Sequence, residues 1–179
     1  MLKKILIAIA VIIFLFVIVV SMQPSEFRVT RSAVISVPVS KVFAQVNDLH
    51  KWQAWSPWAK LDPAVKNTYE GPLEGTGAIF RWAGNNQVGE GNMTITESRA
   101  NEFIQFKLEF LKPFQAINTA EFSFKSEGKG TIVTWSMFGK NNFISKAMGL
   151  IMNCDKMVGG QFEQGLAQLK SVAEGAAQE

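Results

Sequence analysis

Between Gly77 and Lys140 the chain reads as five short stretches with strand character, each closed by a turn signal. The stretches are Gly77 to Ala83, Gly89 to Glu97, Glu102 to Leu111, Gln115 to Lys125 and Thr131 to Lys140. The turns between them are Gly84-Asn85-Asn86, Arg99-Ala100-Asn101, Lys112-Pro113 and Gly128-Lys129-Gly130. Consecutive strands joined by links this short can only pair antiparallel, because a parallel pair needs a long crossover. Side chains alternate sides along a strand, so the pattern also tells the two faces apart. Ile104, Phe106, Leu108 and Phe110 alternate with Gln105, Lys107 and Glu109, and Ala120, Phe122 and Phe124 alternate with Glu121, Ser123 and Lys125. One face of this meander is apolar and the other is wet, so something must cover the apolar face.

The sequence supplies a cover. From Ile144 to about Glu174 the pattern is helical, and Ile144, Met148, Ile151, Asp155, Val158, Phe162, Leu166 and Leu169 fall on one stripe. Upstream, Glu26 to Val37 alternates as a further strand. Pro38 then suits the first turn of a helix over Val39 to Asn47, with Val42, Phe43 and Val46 on one side. Trp52, Trp55 and Trp58 follow at three-residue spacing, and Asp62 to Gly77 is rich in Gly and Pro and reads as loop and short strand. The expected fold class is α+β, a curved antiparallel sheet wrapped around a long C-terminal helix.

The front of the chain is a different object. Ile5 to Val20 is an unbroken apolar run without Gly, Pro or charge, and as a helix Ile5 to Met22 would be about 27 Å long, close to the hydrocarbon thickness of a bilayer. Two readings stay open: a membrane anchor, and a signal peptide with a lysine-led start and a weak small-residue site at Val19 and Ser21. Both place the following domain across the membrane, since Lys3 and Lys4 favour an inside N-terminus, although Arg28 and Arg31 weaken that vote. The expected division is 1–22 anchor or uncleaved signal, 23–26 linker, 27–174 folded domain and 175–179 tail.

Charge and residue counts remove several function classes. The formal charge of +3 comes from 18 Lys and Arg against 15 Asp and Glu, and without Lys3 and Lys4 the chain is close to neutral. That is not the basic footprint of nucleic-acid binding, and no nucleic-acid partner is expected. One Cys and one His leave no intrachain disulfide and no ordinary zinc set, so neither metal nor cofactor is expected. His50 lacks a catalytic neighbour at a known spacing, and Ser56 lacks a nucleophile elbow.

What remains is apolar. A single sheet under one helix is not always filled by its own side chains, and apolar hollows with a few polar groups are the usual small-molecule sites. The candidate lining is Trp55, Trp58, Trp82, Phe106, Phe110, Asn118, Phe122, Trp135, Met148 and Met152. A solid core built from the same aromatics is the competing reading. The tryptophans themselves are read either as core plugging one end of the sheet or as the wall of an entrance. Asp155, inside the apolar stripe, is the one weak catalytic candidate. The alternative is that the chain breaks at Asn153-Cys154 and Asp155 caps a second helix.

Four segments carry a family resemblance: Trp52-x-x-Trp55-Ser56-Pro57-Trp58; Gly75-x-Gly77 through Trp82-x-Gly84-Asn85; Val88-Gly89-x-Gly91-x-Met93-Thr94-Ile95; and Phe162-Glu163-x-Gly165-Leu166-x-x-Leu169-Lys170. Together with the element order they resemble the START and pollen-allergen-like helix-grip superfamily, SRPBCC, in particular its bacterial polyketide cyclase/dehydrase-like members, over about residues 27 to 172. The resemblance implies a helix-grip fold and a hydrophobic small molecule or lipid as partner; the expected membrane contact comes from the apolar N-terminal run, and the protein partner is left unspecified. It leaves two alternatives: a cyclase or dehydratase-like enzyme on a polyketide-like or steroid-like substrate, and an extracytoplasmic protein-interaction module.

Overall fold

The computed structural model describes residues 1–175, apart from the Cys154 side chain; the last four residues of the expected tail lie outside the described residues. Helix α1 (Leu2–Ser21) precedes strand β1 (Glu26–Ile35), helix α2 (Val39–Asn47), a single 3₁₀ turn over Leu49–Lys51 and the short helix α3 (Trp52–Trp55). Strands β2 (Lys66–Glu70), β3 (Ile79–Ala83), β4 (Glu90–Arg99), β5 (Phe103–Lys112), β6 (Ala116–Glu127) and β7 (Gly130–Lys140) follow, then helices α4 (Phe143–Gly149) and α5 (Cys154–Gly175).

All seven strands form one antiparallel sheet in the order β1-β7-β6-β5-β4-β3-β2. Strands β2 to β7 pair in sequence order, and β1 closes onto β7 with Glu26 opposite Lys140 and Ile35 opposite Thr131. Local chemistry explains the turns. Asn101 takes a left-handed φ of 63° between β4 and β5, a conformation asparagine tolerates better than most residues. The β4–β5 register shifts twice, between Glu90 and Gly91 and between Ile95 and Glu97. Such bulges sharpen twist and bend a strand, which helps a flat ladder to curve around a helix. The Gly- and Pro-rich stretch, read as loop and short strand, contains one strand, β2, with alternating half-buried residues at the sheet edge.

The core lies between the inner face of the sheet and α5. Ile104, Phe106, Ala120, Phe122, Val133 and Trp135 come from the sheet, and Phe162, Leu166, Leu169 and Ala173 from the helix. The indole of Trp135 stacks on Phe162 with centroids 4.0 Å apart and planes 8° from parallel. Gly165 permits this approach, because a Cβ there would sit 2.8 Å from Trp135 Cζ3 and 3.1 Å from Pro57 Cδ.

The C-terminal helical pattern is two helices. The expected continuous stripe from Ile144 breaks at Leu150 to Asn153, and Asn153 supplies the cap, its Oδ1 accepting a bond from Lys156 N at 2.9 Å. Only the part from Val158 onward covers the sheet. Ile151 is 88% exposed, so the apolar residues ahead of the break face outward.

A candidate ligand cavity under the helix

The tryptophan segment fills the centre of the molecule. Trp52 meets Trp55, Phe106, Phe122 and Trp135 with ring centroids 4.5 to 6.1 Å apart. Its Nε1 donates to Val46 O at 2.9 Å, and Trp55 Nε1 donates to Gln45 O at 3.2 Å, so both indoles are buried with their polar edge satisfied by α2. Ser56 leaves the helical region, with ψ of 129° ahead of Pro57, and this turns Trp58 away from its two neighbours to stand edge-on to Trp135 at 5.9 Å.

Beside this cluster lies a cavity of about 360 Å³. Its walls are Trp52 and Trp58 from the tryptophan segment, Phe80 and Trp82 from β3, Leu108 and Phe110 from β5, Trp135 and Met137 from β7, and Val158 and Phe162 from α5. Trp82 is laid into place by two features. Its Nε1 donates to Val88 O at 3.1 Å, and Gly91 opposite leaves room for the ring, since a Cβ there would lie 2.6 Å from Trp82 Cζ2. Asn86, Gln87, Lys112 and Pro113 line the exposed side, where the cavity meets the surface between the β3–β4 and β5–β6 turns. Among the described residues, two buried side-chain polar atoms have no hydrogen-bond partner, Asn67 Oδ1 and Trp135 Nε1, and both residues belong to this lining. An unpaired buried group costs about 1–3 kcal/mol, so such atoms call for an explanation.

The structure sorts the sequence candidates into three groups. Trp58, Trp82, Phe110 and Trp135 line the cavity. Trp55, Phe106 and Phe122 are fully buried behind it as packing. Asn118, Met148 and Met152 are elsewhere, which corrects their expected place in the wall. Asn118 is half-buried at the end of β6, lying so close over Gly139 that no Cβ fits there. Met148 and Met152 are 39% and 37% exposed because the helix carrying them breaks before it reaches the sheet. Sequence reasoning missed Phe80, Met93, Met137 and Val158 as lining, and left Trp52 open between core and wall. Leu108 and Phe162 sat on apolar stripes that the alternation had marked, but nothing in a stripe separates the residues beside a void from those beside a neighbour.

Asp155 neither faces the cavity nor caps a helix. It lies in the first turn of α5 and receives both Nη1 and Nη2 of Arg31, at 3.1 and 3.0 Å, while Arg31 Nε reaches Glu163 Oε1 at 2.6 Å. The hydrogen bonds from Arg31 hold the Asp155 carboxyl below its ordinary range, and Arg31 is raised in turn, chiefly by Asp155 and then by Glu163. Gly159 makes room, since a Cβ would strike the guanidinium. This is a clasp between β1 and α5. Among the described lining residues there is no carboxylate and no histidine; Lys112 is the one titratable group, and its Nζ lies 2.6 Å from Glu90 Oε2.

A curved antiparallel sheet gripping a C-terminal helix, with an apolar hollow between them, defines a helix-grip protein. The family comparison agrees: residues 26–174 match the model described as polyketide cyclase / dehydrase and lipid transport, and the chain belongs to that family. A comparison with curated proteins found no match. Solved structures show the same fold at low identity. A Staphylococcus aureus protein of unknown function superposes with a TM-score of 0.63 at 13% identity, covering 89% of this chain and 99% of its own. A Chromobacterium violaceum protein gives a TM-score of 0.59 at 14% identity, covering 85% and 99%. The di-domain ARO/CYC BexL from the BE-7585A biosynthetic pathway gives a TM-score of 0.60 at 17% identity, covering 88% of this chain and 53% of its own.

Proposed function

We propose that this protein binds a hydrophobic small molecule or lipid in the cavity between sheet and α5, held at a membrane by α1. The observation that carries the reading is the hollow itself. Its roughly 360 Å³ falls within the range of small-molecule sites, its wall is aromatic and aliphatic, and two of its residues hold the orphan polar atoms Trp135 Nε1 and Asn67 Oδ1. A guest that is apolar in body and carries one polar group satisfies both features. The family description, which joins cyclase chemistry to lipid transport, is compatible with this.

Helix α1 supports the second half of the reading. It is 20 residues long with a mean hydropathy of 3.1 and almost no buried surface, long and apolar enough to cross a bilayer. With Lys3 and Lys4 inside, the domain stands on the far side. The cyclase-like alternative needs an acid and a base positioned on the substrate, and Asp155, its candidate, is spent on Arg31 outside the hollow.

The test is native mass spectrometry of the full chain extracted in mild detergent, beside Ala120→Phe. Ala120 is buried at the cavity wall, so the added ring occupies guest volume. The expected result is a co-purifying lipid-sized mass in the unsubstituted protein that drops at least about tenfold in the variant. A clean apo mass in both, with no stabilisation by a panel of fatty acids and phospholipids, sinks the reading.

A further inference from the structure

The strand registers gather one set of residues along a single rim of the sheet. Glu26 stands opposite Lys140, Gly139 opposite Asn118, Phe110 opposite Ala116, Lys112 opposite Glu90, and Ala83 opposite both Glu90 and Lys66. The link from α1, the β3–β4 turn, the β5–β6 turn and the link to α4 all emerge at this rim. The exposed cavity lining, Asn86, Gln87, Lys112 and Pro113, belongs to two of these turns. The mouth of the cavity and the end of α1 therefore share one edge of the molecule.

That edge is also greasy. Leu111, Phe114 and Ile117 around the β5–β6 turn, and Phe143, Ile144 and Ile151 on and just after α4, are all exposed. Elsewhere on the domain Val34, Leu61 and Leu73 are exposed singly and need no reason, but six gathered at one edge mark a contact surface. α4 is fastened there: it packs against α1, Asn141 Nδ2 donates to Pro24 O at 3.1 Å, and Lys146 Nζ donates to Ser25 Oγ at 3.1 Å. Only Met22 to Ser25 separate α1 from β1, a reach of at most about 14 Å, so a bilayer crossed by α1 must lie against this rim. Among the described residues, Lys140 and Lys146 at this end have no carboxylate within 4.0 Å, which suits an anionic headgroup layer.

We propose that this rim docks into the boundary between headgroups and acyl chains of the bilayer that α1 crosses, so that the cavity opens onto lipid rather than onto water. The inference rests on reading α1 as an anchor and the cavity as a ligand site. An apolar rim sunk a few ångströms into the interface is the ordinary mode of a peripheral contact, and here it would let a guest move between bilayer and cavity without crossing water.

The experiment uses the full chain in vesicles of phosphatidylcholine and phosphatidylglycerol. In a Cys154→Ser background, Phe114→Cys, Ile151→Cys and, on the opposite rim, Lys129→Cys each carry an environment-sensitive fluorophore. The labels at 114 and 151 are expected to shift to the blue and to be quenched by spin-labelled lipid, while the label at 129 behaves as in water. Labels at 114 and 151 that match the one at 129 overturn the proposal. A second variant keeps the test independent of the labels: Leu111→Ser with Ile144→Ser should slow uptake of a fluorescent fatty acid delivered from vesicles about tenfold and leave its uptake from dilute solution unchanged. Equal loss from both sources counts against docking. Insertion of both labels in a protein that takes up no fatty acid supports the docking and removes the cavity reading. Uptake with both labels in water does the reverse.

Discussion

Helix α5 contains a pair of glycines for which the same substitution should have opposite signs. Gly160 and Gly165 are both interior to the helix, where replacing glycine by alanine ordinarily gains about 0.8–1.0 kcal/mol, because the backbone loses less freedom on folding. At Gly160 a new Cβ meets nothing within 4 Å, so the full gain should appear. At Gly165 it would meet Trp135 Cζ3 at 2.8 Å, and shifting that ring toward the cavity would break its stacks on Phe162 at 4.0 Å and on Phe122 at 4.8 Å. Forcing a methyl into a packed contact costs about 1–3 kcal/mol, and the nearby Pro57 Cδ at 3.1 Å closes the other way out. The propensity gain offsets part of that, leaving Gly165→Ala neutral to about 2 kcal/mol less stable, against about 1 kcal/mol of stabilisation for Gly160→Ala. For a chain of this size each kcal/mol moves the Tm by about 2–4 °C, so the two variants should separate by several degrees in a thermal melt of detergent-solubilised protein. Two equal, stabilising shifts would refute the argument, for they would mean that α5 can step away from Trp135 at no cost and that the stack does not set the width of the cavity.

The clasp between β1 and α5 makes a pH prediction. Arg31 holds the carboxyl of Asp155 below its usual 3.8, so the stabilisation is present above that value and is lost as the pH falls through the lowered one. Protection factors for amide exchange in the first turns of α5 should therefore fall on acidification below about pH 4 in the unsubstituted protein, and in Arg31→Ala they should already be low at neutral pH; protection that is indifferent to both changes would show that the clasp does not hold the helix. Asp155→Asn should leave the amount of bound ligand unchanged, because the side chain lies outside the cavity wall; loss of ligand would show that the clasp with Arg31 shapes the cavity. The orientation of α1 is checked by a reporter fused after Glu179, which should be active only outside the cytoplasm.

Much of this architecture was legible in one dimension. Antiparallel order followed from links too short for a crossover, and the inner face followed from alternation, because a strand's side chains change sides at every residue whatever surrounds it. Helix α2 was legible to the residue, with Pro38 at its front and Val42, Phe43 and Val46 buried. The C-terminal helix was legible only in its second half. Ile144, Met148 and Ile151 continue the periodicity of Val158 and Phe162, and periodicity reports which residues share a side, not where the chain stops being helical. A break at Asn153-Cys154 was one of two open readings, with Asp155 rather than Asn153 as its cap, and its weight against an unbroken stripe depends on whether the sheet extends far enough to meet that stripe.

The hollow belonged to the other kind of knowledge. Alternation alone determined that Phe106, Phe110 and Phe122 share the apolar face, and composition alone marked the greasy leading segment. Only the tertiary structure decided that Phe106 and Phe122 are packing while Phe110 and Trp135 border empty space. It also decided that Asp155 looks outward to Arg31, and that the cavity opens at the end of the sheet where α1 arrives. Facing is a property of the local backbone repeat, whereas a void is a difference between the volume that converging elements enclose and the volume their side chains fill, and that difference exists only after strands, helix and tryptophans have met.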